Sequence, residues 1–202
     1  KQDEFLRCKK KYVAFGGARG GGKSWAVRTK AKLLALRYAG IKLLIVRRTL
    51  RELQNNHIDP LRQDLAGIAK YKASDKRFEF PNGSTITFGY CACDGDMGQY
   101  QGAEYDVIGF EEATNFKEEW MVFICTALRT TRTDFRPRVY YTCNPGGVGH
   151  AYIKRLFIDR RYRTGEDPED YCFIPANVYD NEVLMHADPA YIKRLEALPE
   201  HK

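Results

Sequence analysis

The 202-residue sequence has no long apolar run, no CxxC pair among its six cysteines and no internal repeat. A membrane-spanning helix needs about 20 mostly apolar residues, so the sequence predicts no membrane span and no membrane partner. Its first residues pass from charged side chains directly into a short apolar segment, which is not the pattern of a secretory signal peptide. We therefore expect a cytosolic protein whose cysteines are reduced and hold no zinc.

Positive charge is concentrated in the first half of the chain. Residues 1–101 contain 20 Lys and Arg against 9 Asp and Glu, whereas residues 102–202 contain 13 against 17. A basic half is expected of a protein that handles a polyanion, but solvated helix faces also carry lysine and arginine. Charge alone leaves both interpretations open.

Short apolar segments alternate with stretches of helical periodicity along the chain. This alternation predicts an α/β fold in which helices cover both faces of a mainly parallel sheet. The predicted strands are 11–15, 42–47, 105–110, 138–142 and 171–176, and the predicted helices are 24–39, 49–66 with a break near Pro60, 118–129, 151–158 and 189–198. Residues 77–90 alternate around a Pro-Asn-Gly-Ser turn, which predicts a β-hairpin outside the parallel sheet.

A glycine-rich stretch, GGARGGGKS over residues 16–24, lies between the first predicted strand and the first predicted helix. It satisfies GxxxxGK[ST], the pattern of a phosphate-binding loop, in the context that this loop requires. Backbone N–H groups and the helix N-terminus would hold a polyphosphate, with Lys23 at the β- and γ-phosphates and Ser24 on Mg²⁺. The predicted ATP-binding residues here are Gly17, Ala18, Arg19, Gly20, Gly21, Gly22, Lys23 and Ser24.

Polar side chains follow two later predicted strands. Glu111 and Glu112 come directly after the strand 105–110, where one carboxylate can hold Mg²⁺ and the next can activate water. We assign Glu111 to the metal and Glu112 to catalysis. Thr142 and Asn144 follow the strand 138–142, so they reach the same sheet edge and can sense the γ-phosphate.

These motifs resemble the ATPase domain of the large terminase subunit of tailed bacteriophages. GGARGGGKS resembles the Walker A motif of that family, FEEA its Walker B motif with the catalytic glutamate, and TCNP its coupling motif. The resemblance implies a P-loop NTPase of the additional-strand, catalytic-glutamate type with a hairpin insertion and a small C-terminal lid. It divides residues 1–202 into a core of about 1–150 and a last strand and lid over 151–202, and it gives Gln2 the role of recognising adenine.

The same resemblance implies a function. ATP hydrolysis with Mg²⁺ would power the packaging of double-stranded viral DNA into a procapsid. The implied partners are the DNA, the portal protein, the small terminase subunit and further copies of the chain in a ring. The implied location is the host cytoplasm, transiently docked on the procapsid.

The sequence departs from the family pattern in three places. Glu111 stands where aspartate is usual. No arginine lies between Arg77 and Arg129, which excludes a trans arginine finger just before the Walker B strand. The residue that stabilises the transition-state charge is then Arg19 in cis, which we favour, or Arg129 or Arg132 in trans. The chain ends at Lys202, so we expect a motor domain without the family's nuclease domain and without nuclease activity.

The basic half gains a specific interpretation. The predicted contacts with the DNA backbone are Arg47, Arg48 and Arg51, joined by Lys9, Lys10, Lys11 and the basic helix 28–37. Three other functions use the same loop. These are a helicase-like motor, a nucleotide or small-molecule kinase with the Arg-rich segment 158–165 as its lid, and a DNA-binding switch that holds ATP without turnover.

Overall fold

A twisted sheet between two helical layers forms the protein. The computed structural model describes residues 1–17, 20–188, 190–191 and 194. Within them the strand order is β3-β4-β5-β2-β6-β7-β1-β8. The strands are β1 (Tyr12–Gly17), β2 (Lys42–Arg47), β3 (Lys70–Lys72), β4 (Arg77–Glu79), β5 (Thr85–Tyr90), β6 (Val107–Phe110), β7 (Arg138–Cys143) and β8 (Tyr171–Ala176).

The described helices connect these strands across both faces. They are α1 (Gln2–Arg7), α2 (Lys23–Arg37), α3 (Leu50–Leu53), α4 (Asp59–Asp64), α5 (Glu118–Cys125), α6 (His150–Phe157) and α7 (Glu182–Ala187). Every predicted strand and four of the five predicted helices are observed with small shifts at their ends. The predicted helix 189–198 lies almost entirely outside the described residues. No helix among the described residues is long and apolar enough to cross a membrane.

The predicted α/β fold is confirmed, with one correction to the hairpin. The strands β5, β2, β6, β7, β1 and β8 run parallel, and β7 lies between β1 and β6 as the additional strand. The predicted hairpin forms between β4 and β5, but the expectation that it lies outside the parallel sheet is wrong, because β5 also pairs in parallel with β2. The turn residues at 81–84 determine which strand pairs with one edge of β5 and carry no information about its other edge.

Alternate residues of the central strands enter two separate cores. Val13 and Phe15 of β1 pack under α1 and α2, whereas Ala14 points into the layer covered by α5 and α6. In β2, Leu43 likewise lies in the core under α1 and α2, and Leu44 lies in the core under α5 and α6. Strands buried on both faces read as continuous apolar runs, which is why the sequence pattern identified them.

The helical segment after β2 contains a π-turn rather than a break. α3 continues into a π-turn over Gln54–Ile58, which passes directly into α4. Pro60 has no N–H and cannot donate to the carbonyl of Asn56, the partner that it would have in an α-helix. That carbonyl accepts a hydrogen bond from the Arg28 guanidinium of α2 instead. The predicted break near Pro60 is therefore a local change in hydrogen bonding within a helix that continues.

Candidate active site

The glycine loop between β1 and α2 needs glycine for steric reasons. Gly17 has φ +139°, and a Cβ there would lie 2.1 Å from the carbonyl oxygen of Ala176 in β8. Gly22, which precedes the first residue of α2, is in the left-handed region at φ 71°. These positions let the loop turn tightly against β8 and aim the N-terminus of α2 at an open cleft. Ala18 and Arg19 lie outside the described residues, so the assignment of Arg19 in cis stays a prediction.

A cleft of about 330 Å³ opens at this end of the sheet. It is lined by Gly20, Gly21, Gly22, Lys23, Ser24, Trp25, Arg28, Glu112, Thr142, Asn144, Asn181 and Leu184. Most of the predicted ATP-binding residues are on this surface, together with the predicted catalytic glutamate and both predicted coupling residues. Residues 158–165 contribute nothing to its described lining.

Ser24 and Glu111 meet beside the cleft. The Ser24 hydroxyl donates a 2.8 Å hydrogen bond to Oε2 of Glu111, which is fully buried. Burial favours the neutral carboxyl, but His57, the Ser24 hydroxyl and Arg47 outweigh it and hold the pKa of Glu111 at about 2. The carboxylate is therefore ionised at neutral pH. Among the described atoms its Oε1 has no hydrogen-bond partner.

An unpartnered carboxylate oxygen beside a serine hydroxyl suits Mg²⁺. This ion is usually held by one or two protein oxygens together with water and substrate phosphates. The described residues contain no group of three His, Cys, Asp or Glu side chains that could hold a metal by themselves.

Lys23 is the first residue of α2 and lines the cleft. Burial lowers the pKa of its ammonium group, which the carboxylates of Glu111 and Glu112 partly oppose. Its position at the helix N-terminus suits the predicted contact with β- and γ-phosphates.

Arg47 requires a correction. Its guanidinium is buried, with Nη2 2.9 Å from Oε1 of Glu112 and Nη1 3.6 Å from Oε2 of Glu111. An arginine that faces two carboxylates in the interior is not available to the DNA backbone, so the predicted DNA contact at Arg47 is wrong. Arg47 is the last residue of β2, which pairs in parallel with β6, the strand that the two glutamates follow. The parallel direction of the strands therefore brings Arg47 to the same edge as the glutamates.

Glu112 combines a strained backbone with two side-chain contacts. Its φ is +53°, a left-handed conformation that non-glycine residues adopt rarely and that concentrates at functional sites. Oε1 pairs with Arg47, and Oε2 accepts a 3.1 Å hydrogen bond from the Asn115 amide. Both oxygens are thereby held at the rim of the cleft.

Thr142 and Asn144 connect β7 to this rim. The Glu112 N–H donates a 2.9 Å hydrogen bond to the Thr142 hydroxyl. Asn144 lines the cleft, and its side-chain Oδ1 is buried without a partner among the described residues. A change at Thr142 would therefore act directly on Glu112, and Asn144 leaves a polar oxygen unpaired at the cleft.

Two amides hold the carbonyl groups of the glycine loop. Gln2 of α1 donates to the carbonyl of Gly21 at 3.2 Å, and Asn181 donates to the carbonyl of Gly20 at 2.7 Å. Gln2 thus lies beside the loop, and its recognition of adenine stays a prediction. The sequence analysis missed Asn181, which is remote in the chain.

The remaining predicted arginines lie away from the cleft lining. Arg48 donates to the carbonyls of Ala92 and Asn115 at 2.9 Å each and covers the Trp120 ring, so it connects the segments after β5 and β6 to α5. Arg51 is exposed and stays a candidate for DNA contact.

His57 and Arg28 are the other site residues that the sequence analysis missed. His57 is fully buried in the π-turn, with Nε2 3.1 Å from Glu111 Oε2. Nothing in its local pattern identifies it, because its contact spans 54 positions. Arg28 follows Ser24 by four residues, so helical periodicity could have placed it on the same face.

Comparison with known proteins agrees with this fold. The family model described as phage terminase large subunit matches residues 9–201. No curated protein matches the chain. Among solved structures, the large terminase from a thermophilic bacteriophage is similar at TM-score 0.78 and 16% identity, over 96% of this chain and 49% of that one. This chain therefore spans about half the length of that relative, which has also been solved with ADP and with ATP-gamma-S.

Two further structures share the fold. The ATPase domain of the Thermus phage P74-26 large terminase is similar at TM-score 0.69 and 17% identity, over 98% of this chain and 88% of that one. The N-terminal domain of the DNA packaging ATPase from bacteriophage phi29 is similar at TM-score 0.62 and 18% identity, over 89% and 97%.

Proposed function

Because the chain belongs to the phage terminase large-subunit family, we propose that it hydrolyses ATP to ADP and phosphate and that hydrolysis drives double-stranded DNA into a procapsid. One observation in particular supports the proposal of ATP hydrolysis. Glu112 faces the same cleft as Lys23 and Ser24, on a rim built from the carboxyl ends of neighbouring parallel strands. The ADP and ATP-gamma-S complexes of the thermophilic bacteriophage's large terminase support the choice of ligand.

The loop and α2 would bind the polyphosphate. Backbone N–H groups over residues 20–22 and the α2 N-terminus favour negative charge, and the Lys23 ammonium adds a side-chain donor. Ser24 and Glu111 would hold Mg²⁺. When bound, that ion would neutralise charge on the β- and γ-phosphates.

Glu112 would accept a proton from the attacking water. Its strained backbone and its bonds to Arg47 and Asn115 hold the carboxylate at the rim, so it needs little reorganisation to face the γ-phosphate. Thr142 fixes the Glu112 N–H, and the unpartnered amide oxygen of Asn144 is available to a polar ligand. These contacts support the proposed sensing role of both residues.

The test is to measure phosphate release and nucleotide binding in Glu112→Gln. We expect hydrolysis to fall by about 10²-fold or more, the range attributed to general bases, while ATP binding is retained. Glu119→Gln is the matched control, because Glu119 is exposed on α5 and pairs with Lys117. Unchanged hydrolysis in Glu112→Gln would remove this residue as the catalyst.

Duplex DNA provides the second arm of the test. Phosphate release that rises when duplex DNA is added supports a translocating motor. ATP binding without phosphate release under any DNA condition would instead favour a switch that holds ATP without turnover.

Family membership also supports the wider assignment. We propose that copies assemble as a ring on the portal protein, receive DNA with the small terminase subunit, and act in the host cytoplasm while docked on the procapsid. Arg51 and Lys9, which are exposed, are the strongest remaining candidates for DNA contact.

A further inference from the structure

His57 is a fully buried histidine in contact with the proposed metal-binding carboxylate. Its Nε2 lies 3.1 Å from Oε2 of Glu111, and both side chains are completely excluded from solvent. A carboxylate can only accept hydrogen bonds, so the ring nitrogen carries the hydrogen. The histidine thus donates to Glu111.

The contacts of Glu111 are strongly asymmetric. Oε2 receives the Ser24 hydroxyl at 2.8 Å and the His57 ring, and Arg47 Nη1 lies 3.6 Å away. Oε1 receives no hydrogen bond from any described residue. The donors therefore fix one oxygen and leave the other for a ligand.

The Ser24 hydroxyl can bind a metal ion through a lone pair of its oxygen while its O–H still donates to Oε2 of Glu111. His57 and Arg47 hold Oε2 without being metal ligands themselves, and the His57 contact is the shorter of the two.

We propose that His57 is a positioning residue that holds the Glu111 carboxylate so that Oε1 faces the metal–nucleotide complex. This rests on the proposed nucleotide binding at the cleft. His57 touches neither substrate nor metal, and it acts through Glu111. Partners of this kind behind a metal ligand typically change metal affinity by about 10- to 100-fold.

The π-turn explains how the histidine reaches this position. A π-turn inserts one residue into a helix and rotates the side chains beyond it, and such turns are frequent at functional sites. The turn is itself attached to the phosphate-binding helix, because Arg28 donates to the carbonyl of Asn56. Glu111 and α2 are thus linked through one short segment.

The test compares ADP affinity in saturating Mg²⁺ with ADP affinity in EDTA, by calorimetry on the full chain. His57→Leu removes the donor, and His57→Gln supplies an amide nitrogen near the position of Nε2. We expect His57→Leu to weaken ADP binding in Mg²⁺ by about 10-fold or more with unchanged affinity in EDTA. His57→Gln should lie close to the wild type, and so should Asn55→Ala, an exposed position in the same π-turn.

Several results would overturn the proposal. They are an unchanged Mg²⁺ dependence in His57→Leu, an equal loss in His57→Gln, or an equal loss in EDTA. If His57→Leu does not fold, His57→Phe retains a ring of similar shape without the donor and takes its place. Failure of the wild type to bind ADP under either condition would overturn the proposed function as well, and is thereby distinguished from failure of the histidine's role alone.

Discussion

Gly17 illustrates how a single residue constrains the site. Its φ of +139° and the carbonyl oxygen of Ala176 leave no room for a side chain. The loop can pass this close to β8 only because the residue has no Cβ.

We expect Gly17→Ala to lower the free energy of unfolding by about 2 kcal/mol or more, through backbone strain combined with the clash. Urea denaturation measures this. Gly102→Ala is the matched control, because Gly102 also has positive φ (+76°) but no heavy atom within 4 Å of an added Cβ. Its loss should be distinctly smaller, and equal losses would show that the clash with β8 does not matter.

Lys30 is a buried cation on α2. Its Nζ donates to the carbonyls of Phe5 at 3.3 Å, Cys8 at 3.1 Å and Leu6. Burial first, and then the nearby charge of Arg138, lowers the pKa of Lys30 to about 8 from its usual 10.5. The folded state therefore binds this proton more weakly than the unfolded state.

The stability of the folded state should therefore depend on pH. The cost of the charged form is fully present below pH 8 and is relieved as the pH rises toward 10.5. Relative to Lys30→Met, the wild type should thus gain up to about 2 kcal/mol of stability between about pH 7 and pH 9.5. Urea denaturation of both proteins at the two pH values checks this. A difference between the two proteins that does not change with pH would mean that the three carbonyls keep the ammonium charged.

At the scale of elements, the helical segment 50–64 depends on α2. The π-turn leaves the carbonyl of Asn56 to Arg28, and the Lys32 ammonium pairs with Asp64 further along. A π-turn is unfavourable without such support, since helices this short are stabilised mainly by tertiary contacts.

We expect Arg28→Met to speed amide hydrogen exchange over residues 54–64 by roughly ten-fold, since a hydrogen bond from a charged group contributes about 1.5–3 kcal/mol. Mass spectrometry of exchanged peptides measures this. Arg37→Met, at the far end of α2, serves as the control and should leave exchange in this segment unchanged. Equal exchange in both variants would mean that the π-turn is stable without the arginine.

At the scale of the whole molecule, Arg129 and Arg132 lie at the edge of the sheet opposite the cleft. Arg129 reaches the carbonyl of Ala103 and pairs with Glu104 before β6, and Arg132 donates to the carbonyl of Ala39 beyond the end of α2. A helix of this length spans about 22 Å, so neither arginine can reach the cleft of its own chain. Either could act only on a neighbouring copy.

We therefore expect that, if one of them supplies the transition-state charge, phosphate release per chain rises steeply with protein concentration. Arg129→Ala or Arg132→Ala should then lose this rise, and mixing that variant with Glu112→Gln should restore part of it. A rate per chain that is independent of concentration would favour Arg19 in cis instead.

The fold class, the phosphate-binding loop and the acidic strand end could be predicted from the sequence, because these depend on patterns among neighbouring residues. Strict spacing identifies the loop over residues 17–24, and a buried strand followed by Glu111 and Glu112 predicts their shared edge. Where a pattern is local, periodicity and turn chemistry are sufficient to predict the structure.

Which distant side chains meet at that edge depends on the tertiary structure. In the structure Arg47 lies beside the two glutamates rather than on the predicted DNA surface. His57 and Asn181 also contact the site, and the hairpin strand β5 pairs within the parallel sheet. The Arg47, Asn181 and hairpin contacts depend on strand order, and the His57 contact depends on the rotation of a helix by its π-turn. Both arise from packing across the sheet, which no short stretch of sequence records.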